Sequence, residues 1–535
     1  MTDYTPEYVR SLEKEREKLR EALREAESES KAKELFLSNM SHDIRTPMNA
    51  IIGMTALAKN HIDEKERVLD ALQKIEVAGG HLLSLINDVL DMSRINSGRM
   101  KIREDRFELS DLLHELLVIV RPQSDEKGHS FRFETGEIYR ETLYGDALRL
   151  RQIYVNIINN AVKYTKSGGK IRVSFSEEMD QDRVLLYFSC ADNGIGMSPE
   201  FVKRIFEPFE RVNSSTVSGI EGTGLGMSIV KRLVEQMNGT ITVESAENAG
   251  TTVKICIPLR YIDTALAKDA LSGRNFLIIE NDEQVIRRYR EILNEAGCAF
   301  HVVGSSAEAV SALAEGEFRG GRTDAVIIGS ILQASETLYD IAAYMKKSNP
   351  GLPVILISED PWDRISYQAE RAGVDRFIPL PFFRKSLLLG LSDVLDGSGK
   401  KEEHLAVPDL SGKKLLLVED NMINREIAKE ILSATGVAID SAENGVEAVK
   451  RFEDSDPEEY SMILMDIQMP VMDGLTAARQ IRQLERPDAA SVPIYAMTAN
   501  AFQEDVEKAR ASGMNGHLAK PIDINALMQV LRQIR

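Results

Sequence analysis

The sequence predicts a multidomain chain: an α-helical hairpin, a mixed α/β domain and two doubly wound parallel α/β domains. Apolar residues recur at helical spacing through two long segments of residues 35–100, and helix and strand patterns mix in residues 101–262. An apolar strand, an acidic turn and a helix begin near residue 275 and again near residue 414, which indicates an internal repeat. At 535 residues the chain is too long for one hydrophobic core.

The composition is that of an ordinary globular protein and argues against two kinds of partner. Hydrophobic residues make up 43% and charged residues 28%, and the net charge of −18 disfavours a large nucleic-acid-binding surface. No apolar run approaches the roughly 20 residues of a membrane-spanning helix. We therefore expect a cytoplasmic chain, membrane-tethered only through a region that would precede it. Cys190, Cys256 and Cys298 are too far apart for a metal motif and are expected to be buried in a reducing compartment.

The first 100 residues are helical by pattern. Residues 1–34 are highly charged and carry a modest heptad repeat of Leu12, Leu19 and Ala26, which favours a coiled coil over a solvated single helix. Residues 35–100 follow as two amphipathic helices joined by a short turn. Because a lone hairpin would expose its apolar stripe, we expect two copies to pair as a homodimer, a dimeric four-helix bundle.

His42 lies in the first helix of this hairpin. A neutral imidazole can act as a nucleophile, the neighbouring Asp43 can accept its proton, and Thr46 shares its helix face. Taken alone, such a histidine is more often structural. The segment FLSNMSHDIRTPMNAI, however, closely resembles the phosphoacceptor box of sensor histidine kinases. The resemblance implies that His42 is phosphorylated, that Asp43 is the general base and that Thr46 can position water for dephosphorylation.

Amide, acidic and glycine residues are grouped within residues 101–262. Asn156 and Asn160 share one helix face, where they could bind magnesium and phosphates or could simply satisfy local hydrogen bonds. ADNGIG at 191–196 ends an apolar strand, and GTGLG at 222–226 opens a helix whose N-terminus could bind phosphate. Neither glycine cluster fits a P-loop or a dinucleotide fingerprint.

In this order, these motifs resemble the ATP-binding domain, an α/β sandwich, that histidine kinases share with gyrase-type topoisomerases and Hsp90-type chaperones. The resemblance implies that Asn156 and Asn160 lie on the magnesium and phosphate side. It also implies that Asp192 binds the adenine amino group and that Thr252 supports the Asp192 end. The other implied nucleotide contacts are Lys163, Tyr164, Gly194, Gly196, Gly222, Gly224, Leu225 and Gly226.

The FEPFE stretch and the upstream histidine favour a kinase over the other two families. By resemblance, Phe206 and Phe209 belong to a kinase-specific lid. Three alternatives stay open: a nucleotide-responsive scaffold that has lost catalysis, an ATPase of the gyrase or chaperone type, and a net phosphatase acting through Thr46.

The second half of the chain contains the repeat, predicted as domains at 273–395 and 412–535 with linkers at 263–272 and 396–411. In the second copy, polar side chains stand at the ends of successive predicted strands. In a parallel sheet these ends meet at one edge, and clustered carboxylates with a lysine suit a hard cation and a phosphoryl group. The residues concerned are Glu419, Asp420, Asp466, Thr498 and Lys520.

The second copy closely resembles a response-regulator receiver, a flavodoxin-like doubly wound domain. The resemblance implies that Asp466 is the nucleophile and that Thr498 and Lys520 contact the phosphoryl oxygens. The implied magnesium ligands are Glu419, Asp420, Asp466 and the carbonyl of Gln468.

The first copy departs from this pattern. Glu280 is kept, but Asn281 replaces the second acid, Gly329 or Ser330 stands where the nucleophile belongs, and Leu380 replaces the lysine. We therefore expect a degenerate receiver that accepts no phosphate and serves for docking or spacing.

The sequence as a whole is identified as a hybrid sensor histidine kinase of a phosphorelay. The resemblance implies that ATP, with Mg²⁺, phosphorylates His42 and that Asp466 then receives the phosphoryl group. Expected partners are a separate histidine phosphotransfer protein, a downstream response regulator, and an upstream sensor domain or protein that supplies the signal.

Overall fold

The structure, a computed structural model, describes most of the chain in separate ranges. These are residues 16, 40–41, 43–97, 100–136, 138–208, 210, 224–262, 271–315, 322–329, 338–396, 408, 410–498, 503–520, 524–532 and 534. Contacts divide the chain into two units, residues 1–362 with 368–398 and residues 363–367 with 399–535. The predicted coiled coil apart from Arg16, together with His42, Phe209, Gly222 and Ser330, lies outside the described residues.

Two long helices form the hairpin. Residues 43–60 are helix α1, and α2 (Lys65–Asn96) follows after a short turn. Many apolar side chains of the hairpin remain exposed. Those at least 38% exposed include Ile52, Leu57, Leu69, Leu72, Val77, Leu83, Ile86 and Leu90. None of the helices in the described ranges is long and apolar enough to cross a bilayer.

A seven-stranded sheet with helices packed against it, the seven-stranded domain, follows the hairpin. Its strands are β1 (Asp105–Glu108), β2 (Ser130–Thr135), β3 (Thr142–Gly145), β4 (Lys170–Asp180), β5 (Arg183–Asp192), β6 (Thr240–Ala246) and β7 (Gly250–Tyr261). Its helices are α3 (Leu109–Glu126), α4 (Ala147–Tyr164), α5 (Pro199–Arg204) and α6 (Gly226–Gln236). The strand order is β1-β3-β7-β5-β4-β2, with β6 beside β7, and α3, α4 and α6 share one core with the sheet.

The middle domain, residues 271–396, contains a five-stranded parallel sheet. Its strands are β8 (Asn275–Ile279), β9 (Ala299–Val303), β10 (Ala325–Ile328), β11 (Val354–Ser358) and β12 (Arg376–Pro379). Its helices are α7 (Glu283–Glu295), α8 (Ser306–Glu315), α9 (Leu338–Ser348), α10 (Trp362–Arg371) and α11 (Arg384–Leu395). The strand order is β12-β11-β10-β8-β9. Strands β8, β10 and β11 are buried throughout, as expected for a parallel sheet covered on both faces.

The C-terminal domain repeats this arrangement. Its strands are β13 (Lys414–Val418), β14 (Ala438–Ala442), β15 (Met462–Asp466), β16 (Ile494–Thr498) and β17 (Gly516–Ala519). Its helices are α12 (Met422–Ser433), α13 (Gly445–Asp454), α14 (Gly474–Gln483), α15 (Gln503–Ala511) and α16 (Ile524–Leu531). The sheet is parallel in the order β14-β13-β15-β16-β17. This matches the middle domain, whose order is β9-β8-β10-β11-β12 when it is read from the opposite edge.

The cysteines differ from one another in burial. Cys190 and Cys298 are buried, as predicted, but Cys256 is only half-buried. Strand β7 buries alternate side chains, and Cys256 lies between the buried Ile255 and Ile257 on the other face of the sheet. The prediction of three buried cysteines was therefore wrong at Cys256.

Candidate functional site

The surroundings of the predicted phosphoacceptor are partly described. His42 itself lies outside the described residues, so its side chain is not placed. Asp43 is half-buried and Thr46 is exposed on α1, whereas Met40 and Pro47 are buried. The face that carries Thr46 is thus open to solvent.

Helix α4 carries the two asparagines and is fixed to the sheet by aromatic packing. The Tyr154 ring meets the Phe175 ring edge-on with centroids 5.1 Å apart and lies 4.7 Å from the Phe188 ring. All three side chains are fully buried. Apolar residues at helical spacing turn one face of α4 to the sheet, which leaves Asn156 and Asn160 half-buried away from the fully buried face.

Asn156 lies beside the N-terminus of α6. A Cβ added to Gly226 would be 3.7 Å from the Asn156 side-chain carbon, so the amide and the start of the helix are in contact range. The Asn156 Nδ2 atom is buried and has no hydrogen-bond partner among the described residues. An unpaired amide donor next to a helix N-terminus suits a phosphate oxygen, and the same amide turned over offers an oxygen to Mg²⁺. These residues fit a nucleotide with its metal.

Asp192 ends β5 and is anchored through one oxygen. Its Oδ1 atom accepts from the N–H of Gly194 at 2.8 Å and from the N–H of Thr251 at 3.3 Å. Thr252, the predicted support, pairs with Ala191 across the sheet instead, because strand register places Thr251 opposite Asp192. Burial raises the pKa of the Asp192 carboxyl, and the two backbone hydrogen bonds oppose that rise.

Two glycines let the chain after Asp192 pass close to other backbone segments. A Cβ at Gly194 would be 2.5 Å from the Tyr164 carbonyl oxygen. Gly196 has a φ of +62°, and a Cβ there would be 1.8 Å from the Ala246 carbonyl oxygen. A larger residue at Gly194 would push this loop away from the end of α4, and one at Gly196 would clash with the end of β6. The Lys163 Nζ atom, at that same end of α4, lies 5.0 Å from the centroid of the Tyr164 ring.

The other predicted nucleotide contacts lie at the start of α6. Gly224 has a φ of +68°, Leu225 is buried at the N-cap position, and Gly226 begins the helix. In the predicted lid, the Phe206 ring lies 5.3 Å from the Lys231 Nζ atom of α6.

The C-terminal domain brings its predicted acids together. The Lys520 Nζ atom donates to Glu419 at 2.5 Å and to Asp466 at 2.6 Å. Carboxylate oxygens of Glu419, Asp420 and Asp466 lie within 4.8 Å of one another, with Asp420 exposed and the other two buried. Burial raises the pKa of Asp466, Lys520 opposes the rise, and Glu419 adds to it. Three acids against one lysine leave excess negative charge at an open edge, which suits Mg²⁺.

Two residues that the sequence analysis missed, Asn424 and Arg425, support this cluster alongside the predicted Gln468 and Thr498. The Asn424 side chain donates to Glu419 at 3.0 Å, and Arg425 donates to the Glu419 carbonyl oxygen at 2.7 Å. The Gln468 N–H donates to Asp466 at 3.1 Å. Thr498 is buried, and its carbonyl oxygen accepts from the Lys520 N–H at 2.7 Å.

The equivalent edge of the middle domain is built differently. The Leu380 N–H donates to the Ser358 carbonyl oxygen at 2.9 Å, just as the Lys520 N–H does to Thr498, so Leu380 takes the place of the lysine. Register puts Gly329 next to Glu280, in the place of Asp466. A Cβ at Gly329 would be 2.0 Å from a carboxylate oxygen of Glu280, so the Glu280 side chain fills that space.

Three family models match the chain. The His Kinase A (phospho-acceptor) domain matches residues 32–98, the histidine kinase-, DNA gyrase B- and HSP90-like ATPase matches residues 145–261, and the response regulator receiver domain matches residues 415–532. The chain therefore carries a phosphoacceptor domain, an ATPase-type domain and a receiver domain, the domain types that a hybrid histidine kinase combines. The sequence prediction of a phosphoacceptor hairpin, an ATPase-type domain and a receiver is confirmed at this level.

Curated relatives match nearly the whole length of this chain. Sensor histidine kinase GacS of Pseudomonas protegens is 30% identical over 519 residues, which cover 94% of this chain and 55% of the relative. Signal transduction histidine-protein kinase BarA of Escherichia coli K12 is 29% identical over 510 residues, covering 94% and 54%. The chain thus spans about half the length of these relatives. A crystal structure of full-length ShkA in complex with AMPPNP is 27% identical and covers 93% of this chain and 98% of its own, with a TM-score of 0.43.

One contact ties the base of the hairpin to the ATPase-type domain. Asp91 of α2 is buried, and its carboxylate accepts from Arg149 at 2.8 Å and from Gln152 at 2.8 Å. Met92 and Ile95 of α2 pack in the core of the seven-stranded domain. No sequence pattern points to this contact, because Asp91, Arg149 and Gln152 look like ordinary charged and polar residues on two separate helices.

Proposed function

We propose that this chain autophosphorylates His42 from ATP and passes the phosphoryl group to Asp466. The observation that carries the proposal is the pairing of Asp466 with Lys520 beside two further acids, in a chain that also holds a phosphoacceptor match and an anchored carboxylate for adenine. A kinase that acted only on separate receivers would not need this cluster.

In the first step the seven-stranded domain holds ATP. The second oxygen of Asp192 accepts from the adenine amino group, and Asn156 with Asn160 contacts the phosphates beside the N-terminus of α6. Bound Mg²⁺ would neutralise the charge of the phosphates. A ring nitrogen of His42 attacks the terminal phosphorus as the bond to the ADP oxygen breaks, and Asp43 takes the imidazole proton.

In the second step the phosphoryl group moves to the C-terminal domain. A carboxylate oxygen of Asp466 attacks the phosphorus, the bond to the His42 nitrogen breaks, and that nitrogen regains a proton. Lys520 neutralises charge on the phosphoryl oxygens, and Glu419, Asp420 and the Gln468 carbonyl would hold Mg²⁺. Lys520 and Mg²⁺ would thereby compensate the excess negative charge of the three acids.

The middle domain is proposed to be a receiver that has lost phosphoacceptance. Gly329 offers no nucleophile, Glu280 occupies the space beside it, and Leu380 offers no cation. Its strand order supports the receiver origin. Its role must therefore lie outside phosphoryl transfer.

The proposed partners follow from the chemistry. A separate histidine phosphotransfer protein would accept the group from Asp466 and deliver it to a downstream response regulator. An upstream sensor domain or protein would supply the signal, and the described part of the chain would work in the cytoplasm.

The exposed apolar stripe of α2 predicts a homodimer whose stability depends on it. Leu72→Glu with Ile86→Glu should raise the dimer dissociation constant by at least about 100-fold, because burying each such side chain contributes about 1.5–3 kcal/mol. Sedimentation at micromolar concentration measures the change. Leu389→Glu, the same kind of change at an exposed leucine of α11, should leave the dimer intact. A double variant that stays dimeric at nanomolar concentration would contradict this interface.

Loss of His42 tests the proposed function directly. With radiolabelled ATP and Mg²⁺, the wild-type chain should gain label and His42→Gln should gain none, because the amide cannot accept a phosphoryl group. The matched control is His81→Gln, on the second helix of the hairpin, which should label as the wild type does. Label that persists in His42→Gln with the acid lability of phosphohistidine would refute the assignment.

A further inference from the structure

The loop between β12 and α11 of the middle domain packs into the seven-stranded domain. Phe383 is 2% exposed and belongs to the hydrophobic core of the seven-stranded domain, whereas its neighbour Phe382 belongs to the core of the middle domain. The Arg288 guanidinium of α7 lies 5.5 Å from the centroid of the Phe383 ring. Arg288 also donates to the Thr135 carbonyl oxygen at 2.7 Å and to the Phe382 carbonyl oxygen at 3.3 Å. The Phe383 ring of the middle domain is thus part of the hydrophobic core of the seven-stranded domain.

The N-terminus of α11 is capped from the other domain. Phe383, at the N-cap position, has no side-chain acceptor for the first N–H groups of the helix. Instead the Glu141 carboxylate accepts from the Lys385 N–H and, at 3.0 Å, from the Ser386 N–H. Glu141 is 3% exposed. Burial raises the pKa of the Glu141 carboxyl, and the bonds from the helix oppose that rise.

A second carboxylate pairs with the side chain of the same lysine. The Lys385 Nζ atom lies 2.8 Å and 2.9 Å from the two Glu108 carboxylate oxygens and 2.6 Å from the Thr142 hydroxyl. The side chains of Lys385 and Glu108 are only 13% and 27% exposed. This ion pair is partly desolvated. Removing either partner would leave the other charge unpaired and would strongly destabilise the contact.

This contact lies at the end of the sheet away from the nucleotide pocket. Asp192 pairs with Thr251 at the start of β7, whereas Leu143, which follows the contact residues, pairs with Tyr261 at the other end of β7. Ten residues of strand separate Thr251 from Tyr261, roughly 33 Å. The residues of this contact therefore lie away from Asp192 and the nucleotide pocket.

We infer that the middle domain is docked permanently on the seven-stranded domain, with its β12–α11 loop as the docking surface. In the C-terminal domain this loop carries Lys520; in the middle domain it carries Leu380 and the Phe383 ring. The seven-stranded domain and the middle domain then move as one body when ATP is brought to His42. The inference rests on these contacts alone and holds whether or not His42 is phosphorylated.

Amide hydrogen exchange of the full chain tests the docking from both sides. Lys385→Glu should raise exchange about tenfold in residues 138–145 of the other domain, because it places a third carboxylate beside Glu108 and Glu141. Glu108→Gln should raise exchange in residues 383–390. Both variants should keep the ATP affinity of the wild type.

Lys346→Glu is the matched control, since the Lys346 pair with Asp375, at 2.6 Å, stays within the middle domain. It should leave residues 138–145 unchanged. The inference is overturned if wild-type residues 138–145 and 383–390 exchange as fast as exposed loops. It is also overturned if each variant affects only its own domain. Should Lys385→Glu unfold the middle domain, seen as fast exchange in β8 and β10, Glu108→Gln decides alone.

Discussion

Asp192→Asn should weaken ATP binding by about 100-fold or more, because the new side-chain NH₂ group would face the adenine amino group, and both are hydrogen-bond donors. The Oδ1 atom accepts from Gly194 and Thr251, and among the described residues nothing donates to Oδ2. An asparagine would keep its carbonyl oxygen toward those two N–H groups. Its NH₂ group would then face the adenine amino group, donor against donor. Calorimetric titration with ATP measures the loss, and autophosphorylation should fall with it.

The control for this change is Asp182→Asn, in the exposed turn that precedes β5. It makes the same chemical change on the same sheet and should bind ATP as the wild type does. Thermal unfolding without nucleotide checks that Asp192→Asn remains folded. A folded Asp192→Asn variant with unchanged affinity would show that Asp192 does not contact the base.

Asp466→Asn should hold all of the phosphoryl group on His42. An amide does not attack phosphorus, so the label should stay acid-labile and base-stable, and transfer to the C-terminal domain should fall below detection. Rapid quench after addition of radiolabelled ATP separates the two kinds of label. In the wild type, transfer should slow as the pH falls through the pKa of Asp466, which burial raises, because only the carboxylate attacks.

Asp454→Asn, at the exposed end of α13, supplies the comparison for Asp466→Asn and should transfer normally. Lys520→Ala should slow transfer without removing the nucleophile, because it takes away the cation that pairs with Asp466 and Glu419. Acid-stable label in Asp466→Asn would mean that another carboxylate is the acceptor.

The sequence located most elements because their patterns are local. The helix predicted to carry Asn156 and Asn160 is α4 (Ala147–Tyr164), and the apolar strand predicted to end at ADNGIG is β5 (Arg183–Asp192). Apolar periodicity fixes such elements without reference to the rest of the chain.

What the sequence could not supply depends on register or on distant partners. The run DAVIIGS does not mark where its strand ends, so Gly329 and Ser330 were equal candidates until pairing with β8 put Gly329 next to Glu280. The same kind of shift by one residue separates Thr251 from Thr252. The partners Lys385 and Glu108 are 277 residues apart, and nothing in either segment points to the other.

The Phe383 ring has a practical consequence for anyone who expresses this catalytic region alone. A fragment that stops at residue 262 would expose the apolar recess into which the aromatic ring fits, and would leave the carboxylate of Glu141 without its two backbone donors. Such a fragment should aggregate more readily than one that continues through residue 396. A fragment for expression should therefore end after the middle domain, at residue 396, and not at the end of the seven-stranded domain.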